Sequence, residues 1–505
     1  MRKIFNTADI IHLIKKQKIE KRKVVLCHGV FDLIHVGHIK YFKSAKKYGD
    51  FLIVSLTSDL YVNKGPGRPV FNQNLRAELL ASFEIIDAVY INNSPTSINV
   101  INLFKPDIYF KGPDYKDLKK DKTKNIYKEI NAVKRNGGIF VTSNDLTFSS
   151  SNLINANFNL FNNEQKNYLK NISKKYSFDY IFKKVDEFKN KKILLIGETI
   201  IDQYIFGEIL GKSGKEPHLV IKDDVREDYL GGAGAIANHL STFCKKIDFI
   251  TILGEKKEYL NFVKKSLKKN VDPYFFYKKN SPTILKKRFI DKISKHKLLG
   301  VYSINDEKLE NVTELKIQKI IKKLSNSNDL VIVSDYGHGL ISSKTAIIIQ
   351  SLNKFISLNA QVNASNYGYH SLDKYNKINS LIINENELRH EMRDKKSSLE
   401  KLSFQLIKNF KIKVLIITRG SSGSMLVRRG QKPLYCPAFA SKVVDKVGAG
   451  DAMLSIISMC VEMKLPDDLT LYLGSLAGAS SVESVGNSQF INKNNLLRQV
   501  EYAIK

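Results

Sequence analysis

Val24-Val-Leu-Cys-His-Gly-Val-Phe-Asp-Leu-Ile-His-Val-Gly-His38 decides how the first third of the chain is read. Val24-Val25-Leu26 predicts a buried strand ending near Cys27, Gly29 turns the chain, and a helix starts near His35 and runs on through His38 to Lys47. Working outward, Phe51-Leu-Ile-Val-Ser-Leu reads as a second strand and Asn74 to Phe83 as a second helix. Ala88-Val-Tyr-Ile, Ile108-Tyr-Phe and Gly138-Ile-Phe-Val follow as further strands. Such alternation predicts a parallel sheet flanked by helices. The two imidazoles, His35 and His38, then stand at a helix start, where unpaired backbone N–H groups favour a phosphate. Gly37 between them permits close backbone approach.

At 505 residues the chain exceeds one ordinary hydrophobic core, so two or three domains are expected, and 43% hydrophobic content suits globular folding. No apolar run approaches the roughly 18 to 20 residues that span a bilayer. The segment from Met1 to Asp9 lacks the apolar core of a signal peptide, and Cys27, Cys244, Cys436 and Cys460 follow neither metal-ligand nor disulfide spacing. A cytoplasmic protein without a membrane partner is expected. The net charge of +31 comes from lysines in every part of the chain, not from a basic arm interleaved with aromatics. It is read as a solvated surface that gathers anionic substrates, with no nucleic-acid partner.

Residues 1–155 read as one domain, the polar stretch from Asn155 to Lys175 as linker, and 156–190 as linker plus a lead-in helix that places Phe178, Ile181, Phe182, Val185 and Phe188 on one face. A larger α/β pattern occupies 191–505, through strand-like Lys192-Ile-Leu-Leu-Ile-Gly, Leu330-Val-Ile-Val-Ser, Leu381-Ile-Ile and Val414-Leu-Ile-Ile-Thr. Near its end, Ser441-Lys-Val-Val-Asp-Lys-Val-Gly-Ala-Gly-Asp-Ala452 leads into an apolar helix. Gly448, Ala449 and Gly450 there turn backbone N–H groups toward an anion, and Asp451 sits where a carboxylate can take a hydroxyl proton as a phosphoryl group arrives.

The first stretch resembles the cytidylyltransferase-like family, whose pattern is a Gly-x-Phe-Asp turn followed by His-x-Gly-His. Ala45-Lys-Lys-Tyr-Gly-Asp50, Ser58-Asp59, Gly67-Arg-Pro69, Arg76, Lys111-Gly-Pro-Asp-Tyr115 and Ser149-Ser-Ser-Asn-Leu-Ile154 extend the match in order. The resemblance implies a Rossmann-like α/β/α nucleotidyltransferase in which His35 and His38 stabilise the transition state on the triphosphate. It places Phe31, Lys46 or Lys47, Asp114, Ser149, Ser150 and Ser151 around nucleotide and phosphates. Arg76 is either a phosphate ligand or a helix-surface residue, and one of Lys46 and Lys47 belongs to a solvated helix face. Cys27 reads as a small buried residue, not a nucleophile.

The second region resembles the ribokinase-like (PfkB) sugar kinases through Gly197-Glu-Thr-Ile-Ile-Asp202, Gly231-Gly-Ala-Gly-Ala-Ile-Ala-Asn238, Asp335-Tyr-Gly-His-Gly339, Asn384-Glu-Asn-Glu387, Thr418-Arg-Gly420 and the Gly448 segment. That resemblance implies a ribokinase-like α/β domain with Asp451 as base. Asp202, Gly231, Gly232 and Asn238 would bind sugar; Asn384, Glu387, Thr418 and Gly420 would serve the nucleotide, with Mg²⁺ at Glu387. Lys286 and Arg288 either contact a substrate phosphate or lie on the surface. Two segments depart from the family pattern: Gln361-Val-Asn-Ala-Ser-Asn-Tyr-Gly-Tyr369 stands where Asp-Pro-Lys is usual, and Lys446-Val447 replaces a small polar pair.

Together the two domains resemble the bifunctional heptose-7-phosphate kinase and heptose-1-phosphate adenylyltransferase enzymes, with the familiar kinase-first order inverted. The resemblance implies a homodimer using ATP, or CTP at the transferase, with a sugar phosphate. The other reading is a cytidylyltransferase for a polyol or sugar phosphate whose PfkB domain is regulatory or acts on another sugar.

Overall fold

The computed structural model describes residues 3–65, 67–115, 125–143, 161–363 and 365–504. The chain divides into two compact units, formed mainly by Met1–Leu160 and by Phe161–Val500.

The first unit is a parallel sheet of β1 (Val24–Gly29), β2 (Phe51–Thr57), β3 (Ala88–Asn92), β4 (Ile108–Lys111) and β5 (Ile139–Thr142), in the order β3-β2-β1-β4-β5. Both faces of β1 are covered, which is why it reads as an unbroken apolar run. Val25 and Cys27 face Phe42, Ala45 and Leu80. Val24 and Leu26 face Ile10, Ile101, Phe104 and Val133 on the other side. The strand order reverses between β1 and β4, so the carboxyl ends of those strands form the crevice where open α/β sheets bind ligands. The helix Val36–Lys46 starts there.

The second unit carries a nine-stranded sheet in the order β10-β9-β6-β13-β14-β15-β16-β17-β18. Its strands are β6 (Lys192–Gly197), β9 (Lys246–Gly254), β10 (Val271–Lys278), β13 (Leu330–Asp335), β14 (Phe355–Ala360), β15 (Ser380–Asn384), β16 (Val414–Thr418), β17 (Ser424–Arg428) and β18 (Leu434–Cys436). A smaller sheet, β12-β11-β7-β8, is made of β7 (Thr199–Lys212), β8 (Leu219–Gly232), β11 (Leu285–Asp291) and β12 (Lys297–Ser303). Asp202, Gly231 and Gly232 stood out in the sequence, but not as members of one sheet, because β7 pairs both with β8 and with β11 from far along the chain. The strand order of the large sheet reverses between β6 and β13, and Glu198, Asp335 and Asn384 stand at carboxyl ends along that edge. The helix Ala449–Glu462 packs beneath it, with Ser458 Oγ 2.7 Å from Ser357 Oγ on β14.

Residues 163–175, expected as linker, instead form a helix belonging to the second unit. Asn162 and Gln165 close a capping box, and Leu169 and Ile172 are buried. The Tyr168 hydroxyl donates to the Asp468 carbonyl at 2.7 Å, and Lys175 pairs with the Asp468 carboxylate. These partners lie almost 300 residues away in sequence, so no local pattern reveals them. Among the described residues, no helix is long and apolar enough to cross a membrane.

Candidate active sites

In the first unit His35 is the N-cap of the helix Val36–Lys46, in extended backbone conformation. Its Nδ1 accepts the Gly37 N–H at 3.1 Å, while His38 Nδ1 accepts the His35 N–H at 3.4 Å. The ring centroids lie 4.1 Å apart. With both Nδ1 atoms used as acceptors, the proton of each neutral ring resides on Nε2. Burial, then the neighbouring His35 and Lys64, push the His38 imidazole down to about 3, and burial lowers His35. The pair is therefore a neutral double donor at a helix start, suited to a polyphosphate that brings its own negative charge.

Asp32 shapes the loop over this site. It is buried, accepts the Val70 and Phe71 N–H groups at 2.8 and 3.1 Å, and pairs with Arg68 at 3.3 Å. At the end of β4, Lys111 pairs with Glu129 at 3.6 Å and donates to the His28 carbonyl at 3.4 Å. Burial acts to lower the Lys111 ammonium, but Glu129 and nearby tyrosines more than offset it, and the net shift is upward. Lys64, Asp32, Lys111 and Glu129 were given no role from sequence. Asp32 and Lys111 belong to the Gly-x-Phe-Asp and Lys111–Tyr115 motifs, whereas Lys64 and Glu129 become relevant only through folding.

Several expectations for this site are corrected. Lys46 lies at the far end of the helix from His35, roughly 16 Å away at 1.5 Å per residue. There it pairs with Asp87 and donates to the Asp50 carbonyl at 2.7 Å, while Lys47 is exposed. Arg76 is neither a phosphate ligand nor a surface residue. It is 1% exposed, and its guanidinium donates to Asp59 Oδ1 at 2.5 Å, the Val30 carbonyl at 2.5 Å and the Phe71 carbonyl at 2.9 Å. The Phe31 side chain is buried edge-on to His38, at 5.6 Å between centroids, where its ring supports the imidazole. Ser149, Ser150 and Ser151 lie outside the described residues. Asp114 is placed in the turn Pro113–Tyr115 only by its backbone.

In the second unit a cavity of about 950 Å³ holds Asp202, Gly232, Lys286, Arg288, Tyr336 and Asp451 along with Asn384, Glu387, Thr418, Gly420 and Gly448–Gly450. Gly448 caps the helix Ala449–Glu462 at φ 89°, and a Cβ there would stand 2.1 Å from Asn487 Oδ1, so only glycine fits. Asp451 occupies the first turn of that helix, and its Oδ1 accepts the Tyr336 hydroxyl at 2.7 Å. Burial, reinforced by Asp202, pushes the Asp451 carboxyl up to about 7 against the opposing pull of Tyr336 and Lys286. A general base works best with a pKa near the operating pH.

Asp202 Oδ1 pairs with Arg288 at 2.5 Å, across β7 and β11. Gly231 makes room for this carboxylate, since a Cβ there would lie 2.1 Å from Asp202 Oδ2. Lys286 is 8% exposed, and burial lowers its ammonium while Asp202 and Asp451 oppose the shift. Arg288 and Lys286 are thus cavity groups and not surface residues. Asn384 and Glu387 close a capping box on each other: Asn384 Oδ1 accepts the Glu387 N–H at 2.8 Å, and Glu387 Oε2 accepts the Asn384 N–H at 2.7 Å. Burial pushes Glu387 up to about 7.

Asn238 is corrected. It is fully buried, donating to the Ser266 carbonyl at 2.9 Å and accepting the Lys268 N–H at 3.1 Å, and it braces a turn outside the cavity. Asp445, not singled out from sequence, accepts the Tyr204 hydroxyl and pairs with Lys297, both at 2.5 Å. It ties β7 and β12 of the small sheet to the loop before Gly448. Asn363 and Asn366, from the segment that departs from the family pattern, donate to the Tyr336 carbonyl at 2.9 and 2.8 Å.

These two sites define an α/β chain with a Rossmann-like nucleotidyltransferase unit followed by a ribokinase-like carbohydrate kinase unit. Residues 190–494, more than half of the chain, match the pfkB family of carbohydrate kinases, and the chain belongs to that family. Residues 26–157 match the cytidylyltransferase-like family. The bifunctional protein HldE of Campylobacter jejuni is 44% identical over 118 residues, which make up 23% of this chain and 25% of that protein. The HldE of a Nitratiruptor species is 27% identical over 277 residues, 54% of this chain and 56% of that protein. The chain thus aligns with between a quarter and just over half of the length of these relatives. Phosphofructokinase-2 from Escherichia coli, crystallised with potassium, superposes with a TM-score of 0.51 at 13% identity, covering 62% of this chain and all of that one. That likeness is one of fold. The inverted domain order, expected to set this chain apart from bifunctional relatives, is not borne out as a distinguishing mark.

Proposed function

We propose that the chain phosphorylates a sugar or sugar phosphate at Asp451 and joins a nucleotidyl group to a sugar phosphate at His35 and His38, producing a nucleotide-activated sugar of the ADP-heptose kind for surface polysaccharide synthesis. The observation that carries this reading is the presence, in one chain, of two helix-start anion sites with complementary chemistry. One presents neutral imidazole donors; the other presents a carboxyl near neutrality beside Lys286 and Arg288. Phosphoryl transfer requires the base and nucleotidyl transfer requires charge stabilisation and alignment. The names of the HldE relatives support the pairing.

ATP serves the kinase, and ATP or CTP the transferase. Mg²⁺ would enter the kinase cavity as an ion delivered with the nucleotide phosphates, where it would neutralise charge on the transferring group. Glu387 would hold it from one side, because both of its oxygens already accept backbone N–H groups. A homodimer through the small sheet is supported by exposed Leu210, Leu219, Ile293, Leu299 and Val301 on its strands and turns. Four unbridged buried cysteines favour the cytoplasm.

The test uses the full chain with heptose 7-phosphate or heptose 1-phosphate, Mg²⁺, and ATP or CTP. ADP release with the first substrate and pyrophosphate release with the second are expected. Asp451→Asn should abolish ADP release and spare pyrophosphate release, with the converse for His38→Ala. Equal loss of both activities in either variant would overturn the assignment.

A further inference from the structure

Tyr336 is held at three points around the wall of the kinase cavity. Its backbone N–H donates to the Glu198 carboxylate at 3.1 Å, and that buried carboxylate also accepts the His338 and Leu340 N–H groups at 3.2 and 3.3 Å. Its carbonyl accepts Nδ2 of both Asn363 and Asn366, at 2.9 and 2.8 Å. Its hydroxyl donates to Asp451 Oδ1 at 2.7 Å, and the residue is 2% exposed.

The orientation of the two amides is fixed by their own oxygens. Asn366 Oδ1 accepts the Asn363 N–H at 2.8 Å, and Asn363 Oδ1 accepts the Ser365 N–H at 3.0 Å. Each Nδ2 is therefore turned to the Tyr336 carbonyl. The brace comes from the segment that departs from the Asp-Pro-Lys pattern, which gives that departure a use.

We propose that Tyr336 is a positioning residue for the base: its hydroxyl fixes the Asp451 carboxylate toward the cavity as a charged acceptor, and Asn363 and Asn366 lock Tyr336 in register. The inference rests on the reading of Asp451 as the kinase base. The other charged groups lining the cavity with Asp451 are Asp202 on β7, Lys286 and Arg288 on β11, Glu387 at the start of the helix Glu385–Glu391, and Lys446 on the preceding loop, of which Asp202, Lys286 and Glu387 act on its charge. Only Tyr336 is hydrogen-bonded to its carboxylate among the described residues.

The experiment titrates Asp451 directly, in the full chain labelled with carboxyl-13C aspartate, with Asp451→Asn supplying the assignment. The wild-type midpoint is expected at about 7. Removing a donor that favours the ionised form raises the midpoint, so Tyr336→Phe should move it up by about one pH unit. Asn366→Ala should move it in the same direction by less. Site-specific 3-fluorotyrosine at 336, a stronger donor that keeps the hydroxyl and adds a single fluorine, should move it down, which covers the case in which the phenylalanine variant does not fold. An unchanged midpoint in a folded Tyr336→Phe or fluorotyrosine protein overturns the proposal. Sugar-dependent ADP release is measured in parallel on the wild type. A shifted midpoint without ADP release sinks the kinase reading alone, whereas ADP release with an immobile midpoint sinks the positioning role alone.

Discussion

Substitution of His38 separates the two jobs that one imidazole performs. Its Nδ1 accepts the His35 N–H and closes the helix start, while in the proposed reaction its Nε2 would offer a proton to a phosphate. An asparagine amide falls near the Nδ1 position and a glutamine amide near the Nε2 position. Loss of one preorganised donor at a transition state lowers rate by about 10²–10³, or about 2.7–4 kcal/mol. Loss of a cap costs about 0.5–2 kcal/mol of stability. His38→Asn should thus unfold close to the wild type yet release pyrophosphate roughly 10²-fold more slowly. His38→Gln should recover about tenfold of that rate, and His38→Ala should lose both rate and stability. The assay is pyrophosphate release at saturating nucleoside triphosphate and sugar phosphate, beside thermal unfolding. Because burial holds His38 down at about 3 and also lowers His35, both rings stay neutral at ordinary pH. The wild-type rate should then show no imidazole titration near pH 6.5. A His38→Asn rate within threefold of wild type, or a wild-type rate that rises as pH falls through 6.5, would refute the neutral-donor argument.

Gly231→Ala pushes a methyl group into the Asp202 carboxylate and must disturb its buried pairing with Arg288. A rise of at least tenfold in the KM for sugar is expected, with the KM for ATP little changed in the ADP-release assay. Arg76→Leu leaves the Val30 and Phe71 carbonyls and Asp59 without their donor, at a cost of about 3 kcal/mol, read as a lowered unfolding midpoint for the first unit. His28 is pushed down to about 3 mainly by burial, with Lys111 adding to the effect. The unfolded chain therefore binds the proton first as pH falls. The stability this contributes is whole above pH 6.5 and declines progressively toward pH 3, so His28→Asn should flatten the slope of unfolding free energy against pH in that window.

The legible part of the site was the part written contiguously. His35, Gly37 and His38 share one helix start, and Gly448 to Asp451 share another, so spacing alone placed each group on its N–H cradle. Misread residues were those whose partners come from elsewhere. Lys46 reads as a phosphate ligand until Asp87 is folded against it, Arg76 until its three acceptors converge, and Asn238 until the turn from Ser266 to Lys268 is seen to need it.

By itself the sequence determined the two α/β units, the strands buried on both faces and the helix starts at His35 and Gly448, because period, glycine placement and capping are local properties. Only the tertiary structure decided which charges face a cavity and which are spent on bracing. Lys286 and Arg288 enter the cavity because β11 pairs with β7, and Asp445 ties the small sheet to the loop before Gly448 through Tyr204 and Lys297. Tyr336 reaches Asp451 across 115 residues of chain. Desolvation and hydrogen-bond partnership are properties of the packed neighbourhood, and these give the two imidazoles and the Asp451 carboxyl their protonation states.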